Sequence, residues 1–208
     1  MEKAEIDELI PKMEEPFRSV LLFGPPGSGK GTQGKFLSSA GNHYHLSSGD
    51  IFRGLSPESP AGKLFHKYAG QGKLLPDEVT VTIWHHYVQG LIATNSYFPH
   101  EQLLLLDGVP RTLRQAELLA PHLDVVGIIS LEMPSIEGLV ARLKRRALIE
   151  GRHDDMDEKV LRNRMQVYQD ETVRLLDFYP KEKIFSFNAD QPPLGVLRDI
   201  LGKLSQLL

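Results

Sequence analysis

Apolar residues along the chain fall into two alternating rhythms. Short runs of β-branched, aromatic and leucine residues, Ser19-Val20-Leu21-Leu22-Phe23, Leu103-Leu104-Leu105-Leu106 and Val125–Leu131, are the length of buried strands and end at turn residues. His43-Tyr44-His45-Leu46 and Lys183–Phe187 read as two further strands. Between them the apolar spacing changes to three and four. Helices are expected near 29–40, 76–93, 112–120, 134–146, 156–178 and 192–207, the second with Val79, Ile83, Tyr87 and Leu91 on one face. Residues 51–77 are punctuated by glycine and proline and read as small helices. Ahead of the first strand, Ile6, Leu9, Ile10 and Met13 mark a short amphipathic segment within a 1–16 extension, best suited to docking on the core. Five strands alternating with helices predict an α/β fold with a parallel sheet covered on both faces.

Composition narrows the class without naming a function. The 208 residues are 41% hydrophobic and 25% charged, as in an ordinary soluble globular chain with a sizeable core. The net charge of −3 offers no global attraction to nucleic acid or to an acidic membrane, so any anion site must be locally built. With no cysteine, disulfides and cysteine-type zinc sites are excluded. No apolar stretch approaches the ~18–20 residues that span a bilayer. The acidic first sixteen residues are unlike a signal or transit peptide, so the cytoplasm is the expected compartment.

The most specific chemistry is Gly24-Pro25-Pro26-Gly27-Ser28-Gly29-Lys30-Gly31-Thr32, placed where a buried strand feeds a helix. Glycines let the backbone wrap phosphate, the opening helix turns N–H groups and its positive end toward the anion, and Lys30 reaches the outer phosphates. At average residue usage such a match arises in about one chain in ten thousand. A nucleoside triphosphate is therefore the expected ligand. The usual pattern has Ser or Thr directly after the lysine for Mg²⁺; here Gly31 holds that place and the hydroxyl follows at Thr32.

Two further constellations are weak alone. Asp107-Gly108-Val109-Pro110-Arg111-Thr112 closes a buried strand. A carboxylate there lies at the ligand-binding edge of an α/β sheet, where it can serve Mg²⁺ directly or through water, and Arg111 can fork onto a phosphate. Arg142, Arg145, Arg146, Gly151-Arg152-His153-Asp154-Asp155, Arg162 and Arg164 would otherwise be a solvated basic surface. Around a transferring phosphoryl group they would neutralise charge. His85-His86 is a poor metal pair because helical neighbours diverge, and Trp84 reads as packing.

Taken in order, GPPGSGKGT, HLSSGDIFR, LLPDEVT, DGVPRT and GRHDD with a downstream Arg-x-x-x-Tyr resemble the successive signatures of the adenylate kinases, a nucleoside monophosphate kinase family, over nearly the whole chain. The resemblance implies a P-loop NTP hydrolase-type core at 17–208 with five parallel strands, a monophosphate-binding insertion at 47–77 and a short, zinc-free lid at 144–156. It implies MgATP and AMP as substrates, ADP as product, and a monomer. It puts Gly27, Ser28, Gly29, Lys30, Gly31 and Thr32 on the ATP phosphates, with Arg142 near the donor adenine. Arg146, Arg152 and Arg164 fall on the transferring group, and Arg53 and Arg111 on the acceptor phosphate. Ser48, Leu75, Gly108 and Gln115 surround the acceptor base, where an amide can donate and accept at once. Three positions depart from the family pattern: Ser48 stands for Thr, Val109 for Phe, and one extra residue separates Arg152 from Tyr168. A UMP or CMP kinase favours a shorter amide at Gln115. A catalytically weak nucleotide-binding module would need fewer arginines, and a GTPase-like switch would carry a guanine-reading motif such as NKxD.

Overall fold

A computed structural model describes residues 15–151 and 156–205. Five strands, β1 (Phe17–Phe23), β2 (Tyr44–Ser47), β3 (Leu104–Asp107), β4 (Leu123–Glu132) and β5 (Ile184–Asn188), pair in the order β2-β3-β1-β4-β5. Every pairing is parallel, as the strand–helix alternation requires. The two-residue period of the strands divides their side chains between two cores. Phe17, Leu21 and Phe23 join Leu104 and Leu106 on one face, while Val20 and Leu22 join Leu103 and Leu105 on the other. Both faces are buried, so these strands read as continuous apolar runs.

The helices are α1 (Lys30–Gly41), α2 (Ser48–Arg53), α3 (Pro60–Ala69), α4 (Asp77–Ala93), α5 (Leu113–Leu119), α6 (Ile136–Glu150), α7 (Glu158–Val167), α8 (Val173–Leu175) and α9 (Pro193–Leu204). Side-chain caps define several starts. Thr112 accepts from the Gln115 N–H, Ser135 from Gly138 and Ser59 from Gly62, each satisfying an orphan donor of the first turn.

Several elements differ from the sequence expectation. In α4 the most buried stripe is Val81, Trp84, His85 and Val88, one step round the helix; of the expected face Ile83 and Leu91 pack partly buried at the edge of the core, and Tyr87 stands 44% exposed. The reason is Trp84: its large ring fits edge-on against Phe17 at 6.2 Å, and that anchor sets the helix rotation. Helix α6 continues past Arg146 to Glu150, where Gly151 at φ 65° forms the left-handed stop. The single helix expected over 156–178 is α7 followed by a π turn (Tyr168–Thr172), α8 and a 3₁₀ turn (Leu176–Phe178). Strand β1 begins two residues early, at Phe17, whose N–H bonds the His122 carbonyl. The amphipathic segment at residues 2–13 lies outside the described residues.

Candidate active site

All five parallel strands end at one edge of the sheet, and the segments that follow β1, β2, β3 and β5 line one cavity of about 920 Å³. Because β1 lies between the strands wound to its left and right, the crevice opens at its carboxyl end, where such folds bind ligands.

The loop after β1 carries Gly27 at φ 86° and Gly29 at φ 100°. At Gly27 a Cβ would also meet the Leu139 carbonyl oxygen at 3.0 Å and Leu143 Cγ at 3.1 Å, so the loop packs directly on α6. At Gly29 the space is open and the backbone angle alone selects glycine. The N-cap of α1 is Gly29, which has no side chain to cap the helix, so the leading N–H groups are left for the cavity that Gly29, Lys30, Gly31 and Thr32 line. Lys30 Nζ donates to the Gly24 carbonyl at 2.6 Å and to that of Pro25 at 3.0 Å, curling over the loop. Burial, together with the repulsion of Arg111, Arg146 and Arg164, brings its pKa down to about 8 against the pull of Asp107. The loop donors are not equivalent. Gly27, Gly29, Lys30, Gly31 and Thr32 line the cavity, whereas the Ser28 hydroxyl is buried with no hydrogen-bond partner among the described residues. The Ser28 N–H is spent on the Pro25 carbonyl.

Beside the loop, Asp107 ends β3 in register with Leu22 of β1. Burial alone would raise its pKa; His45, Lys30 and Arg111 outweigh that and hold the carboxyl below its ordinary value. The His45 Nε2 lies 3.8 Å from Asp107 Oδ2, beyond direct hydrogen bonding, in a space that a Cβ on Gly34 would fill. A carboxylate kept ionised on the cavity wall and the Thr32 hydroxyl supply the oxygen donors that a hard divalent cation requires. Among the described residues, no group of three or more His, Cys, Asp or Glu side chains could hold a metal ion by itself.

Across the cavity, Arg111 Nε donates to the Gly108 carbonyl at 2.7 Å, and the Ser48 hydroxyl donates to the same oxygen at 2.8 Å. Burial and then Arg164 lower the Arg111 pKa to about 10, with Arg53 adding to the repulsion. Helix α2 presents Arg53, which is braced by Asp50 at 2.5 Å. Its Phe52 stacks on Phe65 of α3 with ring centres 5.9 Å apart. Leu75 and Gln115 complete this end. At the other end Arg142 donates to the Ala189 carbonyl at 3.0 Å, beyond β5, while Arg145 and Arg146 line the wall from α6.

The structure thus brings together Lys30, Ser48, Arg53, Leu75, Gly108, Arg111, Gln115, Arg142, Arg146 and Arg164 around one space. Arg152 lies outside the described residues. Sequence reasoning missed Phe65, Tyr68 and the Gln191–Pro193 loop, all on the cavity wall, and Asp77, whose carboxylate binds Gln115. It also missed Thr172, whose hydroxyl donates to the Arg111 carbonyl at 2.9 Å from the π turn. The Pro76-Asp77 helix start was a usable signal for Asp77. The π turn has none in the sequence.

Among the described residues, no helix is long and apolar enough to cross a membrane. A family model described as Adenylate kinase matches residues 22–184. An adenylate kinase of Flavobacterium psychrophilum is 38% identical over 197 residues, covering 91% of this chain and 97% of the relative. One from Synechococcus is 37% identical over 180 residues, covering 83% and 89%. One from Leptospira biflexa is 35% identical over 191 residues, covering 89% and 91%.

Proposed function

The chain belongs to the adenylate kinase family, and from that premise we propose how its own residues carry the γ-phosphoryl of MgATP to AMP, giving two ADP. The observation that supports this reading is one cavity lined by the phosphate loop, by the donor-acceptor amide of Gln115 and by the guanidiniums of Arg53, Arg111, Arg142, Arg146 and Arg164. Arg146 and Arg164 both act on the Lys30 charge, and Arg164 and Arg53 on that of Arg111. These cations therefore share one electrostatic space.

In this assignment Gly27, Gly29, Gly31 and Thr32 cradle the ATP phosphates, and the Lys30 ammonium leaves the Gly24 and Pro25 carbonyls for the outer phosphate oxygens. Arg142 lies against the donor base from its anchor on Ala189. Arg53 and Arg111 clamp the AMP phosphate, while Ser48, Leu75, Gly108 and Gln115 enclose its base. The AMP phosphate oxygen is already ionised, so no general base is needed and the residues work by alignment and charge neutralisation. Asp107, directly or through water, and Thr32 would hold Mg²⁺, which supplies charge neutralisation on the transferred group. Arg146, Arg152 and Arg164 meet the developing charge. Residues 47–77 form the acceptor-side segment and 144–156 the lid, whose closure excludes water and so suppresses hydrolysis. The working form is a cytoplasmic monomer, which sedimentation of the purified chain tests.

A coupled assay of ADP formation from ATP with AMP, UMP, CMP and GMP decides the reaction. AMP is expected to be the fastest acceptor. Faster turnover of UMP would refute AMP as acceptor, and tight ATP binding without ADP production would refute the transfer itself.

A further inference from the structure

The motif Leu74-Leu75-Pro76-Asp77-Glu78-Val79-Thr80 contributes Leu74, Leu75 and Thr80 to the cavity wall, and the chemistry above makes no use of its carboxylates. We propose that Asp77 is the positioning residue for acceptor selectivity: it locks the Gln115 amide in the one orientation that complements adenine and not a 6-oxopurine. This rests on the reading of Gln115 as the group facing the acceptor base.

Gln115 is 2% exposed, and each end of its amide meets a partner that can bond in one sense only. Its Oε1 accepts from the Arg111 N–H at 2.8 Å, and its Nε2 donates to Asp77 Oδ1 at 2.9 Å. Asp77 Oδ1 also accepts from the Thr112 hydroxyl at 2.9 Å, and Thr112 Oγ1 in turn accepts from the Gln115 N–H at 3.1 Å. Asp77 opens α4, where the positive helix end favours its negative charge. The two ends of a carboxamide have nearly the same shape, so only their partners fix which end is which. A backbone N–H can only donate and a carboxylate can only accept. Turning the amide over would break both bonds and set N–H against N–H and oxygen against carboxylate.

An amide has two N–H donors and two acceptor lone pairs. With one of each committed to Asp77 and Arg111, one N–H and one lone pair remain for the cavity that Gln115 lines. Adenine offers an amino donor beside a ring-nitrogen acceptor. A 6-oxopurine offers the reverse, a carbonyl acceptor beside a ring N–H. The inverted amide would fit the second as well as the fixed amide fits the first. Selectivity between the two bases therefore lies in whatever forbids the inversion, and Asp77 supplies the charged half of that lock.

The test compares the full chain with Asp77→Ala and Asp77→Asn, measuring kcat/KM for AMP and for IMP at saturating MgATP. The unaltered chain prefers AMP. Asp77→Ala should lower the AMP-to-IMP ratio by about tenfold, the scale of one hydrogen bond to a charged group, mainly through a higher KM for AMP. Asp77→Asn, which keeps an acceptor oxygen for Nε2 but adds a donor that can meet Oε1 of a turned-over amide, should give an intermediate loss. A ratio unchanged in whichever variant folds, with both acceptors slowed equally, would overturn the proposal and leave Asp77 a structural link between α4 and α5. Absence of AMP turnover by the unaltered chain would instead overturn the underlying reading.

Discussion

Replacing Lys30 with methionine should abolish catalysis and stabilise the fold at the same time. The ammonium is part-buried, attracted by Asp107 but repelled by Arg111, Arg146 and Arg164, and its pKa stands at about 8 against the ordinary lysine value of 10.5. Keeping the charge in that place costs about 3 kcal/mol by linkage. Water at the cavity mouth and loss of the bonds to the Gly24 and Pro25 carbonyls reduce the gain from removing it, to about 1–3 kcal/mol. For a chain of this size that is a rise of about 2–10 °C in Tm. The pH dependence fixes the cause. Below about 8 the lysine is protonated in both folded and unfolded chains, so the cost is fully present. Between 8 and 10.5 the unfolded chain binds more proton than the folded one, so wild-type stability gains relative to the variant as pH rises. Calorimetry of both proteins at pH 7 and pH 10, with a coupled ADP assay, measures the two effects. The reasoning fails if Lys30→Met melts at or below wild type at pH 7, or if the gap between the proteins does not narrow by pH 10.

Other outcomes follow from the acceptor end. Arg111→Ala should cut turnover by about 10²–10³, the scale for removing one group that meets developing charge, measured as ADP production at saturating substrates. Because Arg111 also repels Lys30, the same variant should move the lysine's titration upward, visible as a displaced rise in the stability–pH curve. Gly108→Ala forces a Cβ onto a residue at φ 80°, 2.7 Å from both Arg111 Nη2 and Ser48 Oγ. It should destabilise the fold by about 1–2 kcal/mol and raise KM for AMP more than KM for ATP, checked by melting and steady-state kinetics.

Strands and the phosphate loop were legible because their signals are local. A run such as Leu103–Leu106 can be little except a buried strand, and the spacing of Gly24, Gly27, Gly29 and Lys30 needs no tertiary context. The rotation of α4 was not legible, since Val79, Ile83, Tyr87 and Leu91 form as good a stripe as the one used; packing of Trp84 on Phe17 decides between them. Nor was the π turn at Tyr168–Thr172, which inserts a residue into the helical period and swings Thr172 onto the Arg111 carbonyl. The arginines were visible as a basic cluster, but their convergence depends on α6, α7 and the loop after β3 meeting at one edge. Asp77 escaped notice because a carboxylate at a helix start has an adequate local explanation, and its grip on Gln115 spans a gap of 38 residues.

The placement of β3 between β1 and β2 bears on the chain's birth as well as its work. The phosphate loop leaves the ribosome long before Asp107 does, and the strand that precedes the loop pairs with the strand that carries Asp107 only after the whole intervening segment has been synthesised and wound back. Such non-local pairing is slow and late. A chain made only as far as α4 thus carries the phosphate loop without Asp107 or Arg111, and the cavity wall is complete only once α6 and α7 have added Arg142, Arg146 and Arg164.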